Sequence, residues 1–245
     1  MAEARERRAI FFDAAGTLFE SREPVGHAYS RIAREHGLDA SVDAVTAGFR
    51  HAFGSAPGLA FGPGHDSSRL RHLERGWWRE RVRESFAGLG EFRDFDAYFD
   101  DLFAYFADPA HWQVDPEAVT TLDRLKSSGL RLGVISNFDH RVYRILDGLG
   151  LTGYFDSITI SSEAGYAKPR REIFDLALRS LGVEARDAMH VGDSPHLDLA
   201  AASEAGMVAA LIDPALKGAP AIEGRTARVR SLASAIGVAH IFGFA

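Results

Sequence analysis

The first indication of the fold is a stretch near the N-terminus, AIFFDAAGT at residues 9–17. Its four apolar residues predict a short buried strand, and Asp13 follows directly at the end of that strand. In open α/β sheets, ligands bind beyond the carboxyl ends of the strands, so a carboxylate at this position can reach a ligand. With a glycine turn and Thr17 beside it, Asp13 is a candidate nucleophile or metal ligand.

Four further strands are predicted in the second half of the chain. The apolar runs lie at residues 130–135, 155–160, 188–191 and 207–212, and amphipathic helical patterns separate them. Strands that alternate with helices in this way form βαβ units and a parallel sheet. Right-handed crossovers then bring the polar residues at the strand ends to one edge of the sheet.

Residues 20–109 have a different pattern, in which helices dominate. Aromatic residues such as Tyr29, Trp78 and Phe99 recur there at helical spacing, which is more typical of a hydrophobic core than of a ligand site. A glycine- and proline-rich stretch at 54–64 interrupts the helices. We therefore predict an α/β protein in two parts. One is a Rossmann-like core with a mostly parallel sheet, residues 1–19 and 110–245, and the other is an inserted α-helical cap, residues 20–109.

The composition limits the classes of partner. A net charge of -6 argues against nucleic acid or an anionic membrane surface as the main partner. The absence of cysteine excludes disulfides, thiolate nucleophiles and cysteine-based metal sites, and it suits a cytoplasmic protein. The four-residue apolar stretch near the start is too short for a signal-peptide core, and no long apolar run predicts a membrane span.

Four polar motifs follow one another at predicted element boundaries. They are DAAGT at 13–17, Ser136-Asn137, Lys168-Pro169 and GDSPHLD at 192–198. In this order they resemble the haloacid dehalogenase (HAD) superfamily over nearly the whole chain, and the helical insert resembles that superfamily's C1-type cap. The stretches WQV at 112–114 and VISNFD at 134–139 resemble the HAD-like hydrolase domain-containing protein 3 group most closely.

The resemblance implies a phosphatase that forms an aspartyl-phosphate on Asp13. A carboxylate and a phosphate repel each other, so the site must supply positive charge. By resemblance, Mg²⁺ is held by Asp13, Asp193 and the backbone carbonyl of Ala15, because this hard ion takes oxygen ligands. Asp198 fits a role that acts on the metal through water or another ligand. The expected substrate is a small phosphorylated molecule.

The remaining motif residues are expected to hold the phosphoryl group. Lys168 would neutralise both the nucleophile and the phosphoryl oxygens. Ser136 and the amide of Asn137 would donate hydrogen bonds to the same oxygens, and Thr17 would hold the motif loop. Taken singly these motifs have simpler explanations, since acids are typical of helix N-termini and Ser-Asn of turns. Independent turns would rarely fall in this order, which favours one common site.

Ala15 leaves the type of function open, because relatives usually have an acid there that moves protons. General acid–base catalysis is typically worth about 10²–10⁴-fold. One interpretation is a slow phosphatase, or one that takes a proton donor from His65, Asp66 or His196. Another is a fold that binds phosphate or protein with little or no turnover.

Phosphonoacetaldehyde hydrolases also have alanine at this position, but they use a cap lysine, and residues 20–109 contain none. Dehalogenases usually lack the Gly-Asp metal motif, which is present here.

Overall fold

The computed structural model describes residues 8–244. Its strands, in chain order, are β1 (Ala9–Phe12), β2 (Phe19–Ser21), β3 (Trp112–Val114), β4 (Arg131–Ser136), β5 (Ser157–Ile160), β6 (Ala188–Gly192), β7 (Val208–Ile212), β8 (Ala221–Glu223) and β9 (Thr226–Val229). Its helices are α1 (Val25–Glu35), α2 (Val42–Gly54), α3 (Ser67–Ser85), α4 (Phe95–Tyr105), α5 (Ala118–Ser127), α6 (Arg141–Gly148), α7 (Ser161–Ala164), α8 (Arg171–Leu181), α9 (Ala201–Glu204) and α10 (Ser234–Ile241). A π-helical turn, Pro195–Ala200, leads into α9.

Seven of these strands form one sheet in the order β5-β4-β1-β6-β7-β9-β8. All neighbouring pairs are parallel except β8–β9. Strand β1 lies inside the sheet between β4 and β6, and its four residues are all buried. Ile10 and Phe12 belong to the hydrophobic core on one face, and Ala9 and Phe11 to the core on the other. The alternation of a strand thus explains why a run without polar residues fits a sheet covered on both faces. The predicted α/β fold with a mostly parallel sheet is confirmed.

Helices α1–α4 have a hydrophobic core of their own. It is built on aromatic residues that include Tyr29, Tyr98 and Phe99, each at most 2% exposed. At the two ends of this helical segment, β2 pairs antiparallel with β3. Both sequence-predicted boundaries of the cap, 19/20 and 109/110, fall at or next to this two-stranded ribbon.

The glycine- and proline-rich stretch contacts the core close to one of the motifs. Ser161 donates a hydrogen bond to the carbonyl of Leu59 at 2.6 Å, and the amide of Gly62 donates to Gly165 at 3.2 Å. A Cβ on Gly58 would lie 2.7 Å from the side chain of Ala167, which precedes Lys168. The glycines therefore allow the loop to approach the segment that carries the lysine. Among residues 8–244, no helix combines the length and apolar character that crossing a membrane requires.

Candidate functional site

Adjacent strand ends bring the predicted site residues together. Strand β1 lies between β4 and β6; Asp13 follows β1, and Asp193 follows the neighbouring β6. Ser136 is the last residue of β4, on the other side of β1. Carboxylate oxygens of Asp13, Asp193 and Asp198 all lie within 4.8 Å of one another. The sheet topology thus produces the acidic cluster that the sequence predicts.

Lys168 lies between two of these carboxylates. Its Nζ is 2.9 Å from Oδ1 of Asp13 and 2.6 Å from Oδ1 of Asp198. The lysine is 3% exposed and Asp13 is 9% exposed, so the ion pairs are largely shielded from water. Burial alone would lower the pKa of Lys168, but the charges of Asp13 and Asp198 outweigh it and hold the pKa above its usual value. The ammonium is therefore charged at neutral pH, as neutralisation of a phosphoryl group requires.

Asp198 is held by donors on both of its oxygens. Besides the contact with Lys168, Nε2 of the buried His190 lies 2.9 Å from Oδ1 of Asp198. The amide of Ser194 donates to Oδ2 at 3.0 Å. Burial alone would raise the pKa of Asp198, but the His190 hydrogen bond and the Lys168 charge hold it well below the usual range. With both oxygens engaged, Asp198 is suited to positioning Lys168 rather than to direct metal binding. His190 was not predicted as a site residue, and its only sequence signal is a polar residue within the apolar run of β6.

Two glycines make room for the acids that follow β6. A Cβ on Gly192 would lie 2.2 Å from the carboxyl carbon of Asp198, so only glycine lets this side chain fold back against the strand. Gly16 has φ +90°, and a Cβ there would lie 2.6 Å from Oδ2 of Asp193. Asp193 is exposed as a residue, yet desolvation of its carboxyl and the charges of Asp13 and Asp198 raise its pKa to about 6. An unbalanced carboxylate of this kind favours a cation beside it.

The residues expected to hold phosphate differ in what they contact. The side-chain amide of Asn137 donates to the carbonyl of Lys168 at 2.9 Å and accepts from its amide at 2.7 Å. That side chain therefore fixes the lysine segment, which leaves the backbone amide of Asn137 as the group for the phosphate prediction. Ser136 is 3% exposed. The hydroxyl of Thr17 is buried without a hydrogen-bond partner among the described residues. The phosphate contacts of all three remain predictions.

The alternative proton donors lie on exposed segments. Asp66 caps the N-terminus of α3 by accepting from the amide of Arg69 at 2.9 Å. His65 lies 2.9 Å from the carbonyl of Phe61 through its Nε2, and His196 is exposed in the π-helical turn. Among residues 8–244, no hydrogen bond or ion pair joins any of the three to Asp13. Their role as donors remains a prediction that this conformation gives no contact to support.

A second polar cluster joins the helical segment to the core, and sequence analysis did not predict it. The buried Asp139 accepts from Nε and Nη2 of Arg141 at 2.8 and 2.6 Å, and from the indole of Trp78 on α3 at 2.5 Å. Burial alone would raise the pKa of Asp139, but Arg141 outweighs it and keeps the carboxyl ionised. Next to it, the fully buried Glu74 of α3 pairs with His140. These contacts hold α3 against the segment that follows Ser136.

An apolar cavity of about 180 Å³ lies between the helical segment and the core, with Ala15 in its wall. The other lining residues are Val25, Tyr29, Phe49, Trp78, Val82, Phe99, Leu102, Phe103, Phe106, Trp112, Phe138 and Arg141. The aromatic residues of α1–α4 therefore have two roles, since several that form the helical core also line this cavity.

The mostly parallel sheet is Rossmann-like, and the acids lie at the carboxyl ends of its strands, where such folds bind their ligands. Residues 7–206 match the haloacid dehalogenase-like hydrolase family. The human haloacid dehalogenase-like hydrolase domain-containing protein 3 is 37% identical over 218 residues, which cover 86% of this chain and 84% of that protein. The chain therefore belongs to the haloacid dehalogenase-like hydrolase family, and it is a hydrolase.

Two further comparisons involve phosphatases. The glyceraldehyde 3-phosphate phosphatase of Methanothermobacter thermautotrophicus is 39% identical over 102 residues, which are 41% of this chain and 45% of that enzyme. Among solved structures, the HAD phosphatase from Thermococcus onnurineus has a TM-score of 0.64 and 24% identity, and the alignment covers 96% of this chain and 98% of that one. The structural likeness concerns the fold alone.

Proposed function

We propose that this hydrolase is a Mg²⁺-dependent phosphatase that acts on a small phosphomonoester through Asp13. The observation that carries the proposal is the convergence of Asp13 and Asp193, at adjacent strand ends, with Lys168 from the segment between α7 and α8, whose ammonium lies 2.9 Å from the Asp13 carboxylate. The similarity to a phosphatase over part of the chain supports the same reaction. In this proposal, residues 20–109 act as the cap, and the cluster of Asp139 and Glu74 holds that cap against the core.

The donor set fits Mg²⁺. This ion is usually held by one or two carboxylates together with water and substrate phosphate oxygens. Asp13 and Asp193 offer two such carboxylates, and the backbone carbonyl of Ala15 is a third candidate oxygen because replacement of a side chain leaves the backbone intact. Asp198 acts on the site through Lys168 and His190, whose contacts occupy its oxygens. When bound there, Mg²⁺ would neutralise the charge between the carboxylates and the phosphoryl oxygens.

The proposed reaction has two steps, transfer of the phosphoryl group to Asp13 and hydrolysis of the aspartyl-phosphate. Asp13 attacks phosphorus, the ester bond to the leaving oxygen breaks, and Lys168 stabilises the negative charge on the phosphoryl group. Water then hydrolyses the aspartyl-phosphate, which regenerates the carboxylate and releases phosphate. The methyl group of Ala15 moves no proton, so the hydrolytic water must react without a base at that position. We therefore expect the second step to limit turnover.

A quench-flow time course with p-nitrophenyl phosphate tests this proposal. The wild type should show a Mg²⁺-dependent burst followed by slow turnover, and Asp13→Asn should show neither. Ala15→Asp should speed the slow phase at least tenfold. Ala15→Asn introduces a side chain of the same shape as aspartate but should not speed that phase, because only the acid transfers protons. The alternative function is a binding fold with an inactive site, and Ala15 is the observation that favours it. No burst and no turnover in either the wild type or Ala15→Asp would count against the phosphatase proposal and favour that alternative, or a chemistry that p-nitrophenyl phosphate does not report.

A further inference from the structure

The apolar cavity beside Ala15 bears on the class of substrate. Two of its lining residues follow the motif turns closely: Ala15 lies two residues after Asp13, and Phe138 two residues after Ser136. The cavity therefore adjoins the segment that carries the nucleophile. Its volume of about 180 Å³ exceeds that of an engineered apolar cavity of about 150 Å³ that binds benzene. A single six-membered ring fits within it.

The one charged residue among the described lining residues presents little free charge. Arg141 donates to both oxygens of the buried Asp139, so a carboxylate partner already neutralises its guanidinium. The same guanidinium lies over the ring of Phe103 at 3.9 Å and over that of Trp78 at 4.7 Å. A second anion would have to compete with Asp139 for these donors. The cavity therefore favours a flat, uncharged group over a charged or strongly polar one.

The absence of an acid at position 15 points to the same class of molecule on independent chemical grounds. A leaving alkoxide has a conjugate acid about as weak as water, whose pKa is about 15.7, so its departure depends strongly on a proton donor. A phenol has a pKa near that of tyrosine, about 10, and its anion leaves far more readily. An aromatic alcohol is therefore both the leaving group that suits the cavity and the one that tolerates Ala15.

We propose that the substrate is an aryl phosphomonoester, with the phosphoryl group at Asp13 and Lys168 and the aromatic ring in the cavity. This rests on the phosphatase activity proposed above. The Asp13 carboxylate bonds to phosphorus as the bond from phosphorus to the phenolic oxygen breaks, and the electron pair stays on that oxygen. Water then cleaves the aspartyl-phosphate and restores the carboxylate. One ester and one water give one phenol and one hydrogen phosphate, because the two protons of the water end on the phenol and the phosphate.

Four compounds separate the effect of ring binding from the effect of the leaving group. Phenyl phosphate and cyclohexyl phosphate have rings of similar size, but only the phenyl ester has a good leaving group. Acetyl phosphate and glycerol phosphate are small molecules without a ring, and only acetyl phosphate has a good leaving group. The value of kcat/KM reports the first chemical step, so it is unaffected by slow hydrolysis of the intermediate. We expect kcat/KM for cyclohexyl phosphate to be at least hundredfold below that for phenyl phosphate. Ala15→Asp should narrow this gap, and Ala15→Asn should not.

A substitution in the cavity wall tests the ring-binding site. Val25→Phe should lower the ratio of kcat/KM for phenyl phosphate to that for acetyl phosphate at least tenfold, because the new ring fills space that the substrate needs. Val119→Phe, at a position on α5 that is 43% exposed, is the matched control and should leave the ratio unchanged. Val25→Ala should improve the use of 1-naphthyl phosphate, which keeps the test valid if the larger side chain disturbs folding.

Binding without turnover gives a second readout. Trp78 and Trp112, two of the three tryptophans in the chain, line the cavity. In Asp13→Asn, phenyl phosphate should therefore change the tryptophan fluorescence, and Val25→Phe should weaken that binding at least tenfold. Turnover of all four compounds with no effect of Val25→Phe on the ratio or on binding would overturn the aryl proposal alone. No turnover of any compound by the wild type or Ala15→Asp would overturn the phosphatase proposal, and the fluorescence titration would still decide whether the cavity binds a ring.

Discussion

Replacing Lys168 by methionine should destabilise the protein by about 3–5 kcal/mol at pH 7.5, because the change removes one partner from a buried ion cluster. The lysine side chain is 2% exposed, and its Nζ lies within 2.9 Å of both Asp13 and Asp198. Methionine fills much of the same volume but supplies no charge. The two carboxylates would then lie near each other and near Asp193 without a cation among them.

Lys126→Met is the matched control for this substitution. Lys126 also pairs with a carboxylate, since its Nζ lies 3.5 Å from Oδ1 of Asp156, but its side chain is 39% exposed. An exposed ion pair contributes about 0–1 kcal/mol. Urea unfolding followed by tryptophan fluorescence gives the free energy of unfolding of both variants and of the wild type under the same conditions.

The pH dependence provides a second test of the same reasoning. In the wild type the pKa of Asp198 lies below its usual value, so this carboxylate stabilises the fold above about pH 4 and loses that effect as the pH falls. Without Lys168, burial and like charge should raise that pKa, so the variant takes up a proton at a higher pH. The free energy of unfolding of the variant should therefore approach that of the wild type between pH 7.5 and pH 4.5. The gap should close by about 1.4 kcal/mol for each pH unit below the raised pKa. Equal effects of the two lysine substitutions, or a difference that does not change with pH, would refute the assignment.

Two further predictions concern the proposed metal site and the contact of α3 with the core. Burial and the charges of Asp13 and Asp198 raise the pKa of Asp193 to about 6, so the Mg²⁺ affinity measured by calorimetry should fall about tenfold from pH 7 to pH 5. Equal affinities at both pH values would contradict this competition between proton and metal. Trp78→Phe should destabilise the fold by about 1–3 kcal/mol because a buried carboxylate loses a donor, whereas Trp77→Phe, whose indole bonds an exposed carbonyl, should have a smaller effect. Similar unfolding free energies for the two tryptophan variants would count against that contact.

Local sequence patterns were sufficient to predict the parallel strands β1, β4, β5, β6 and β7 of the seven-stranded sheet. The run at residues 9–12 is completely buried because both faces of β1 are covered, and the other predicted parallel strands lie within two residues of their expected positions. The strand predicted at 155–160 begins at Ser157, because a 3-10 turn at Thr152–Tyr154 precedes it. Strands β4, β1 and β6 are adjacent and parallel, so their carboxyl ends lie at one edge of the sheet, which is why the predicted acids converge.

The elements that sequence analysis missed depend on distant partners. Strands β2 and β3 have three residues each and pair across the whole helical segment, so neither has a local signal. His190 contacts Asp198 only because Gly192 lets that side chain fold back against the strand. The pairing of Trp78 with Asp139 requires α3 to dock on the core. A helical pattern predicts which face of α3 is apolar, but it does not predict which polar group of the core a side chain on α3 contacts.

The electrostatics of the cluster argue for a site that binds a cation rather than for an inactive remnant. Lys168 compensates Asp13 and Asp198, but Asp193 is left beside these two acids, and desolvation together with their charges raises its pKa to about 6, which disfavours its ionised form. At neutral pH most of this carboxyl is nevertheless ionised, so the chain carries a repulsion that an amide of the same shape would remove. A divalent cation held by Asp13 and Asp193, as proposed above, would turn that repulsion into a favourable interaction. In the function proposed above, the charged half of the site would hold the metal and the phosphoryl group, and the apolar cavity beside Ala15 would hold the leaving group.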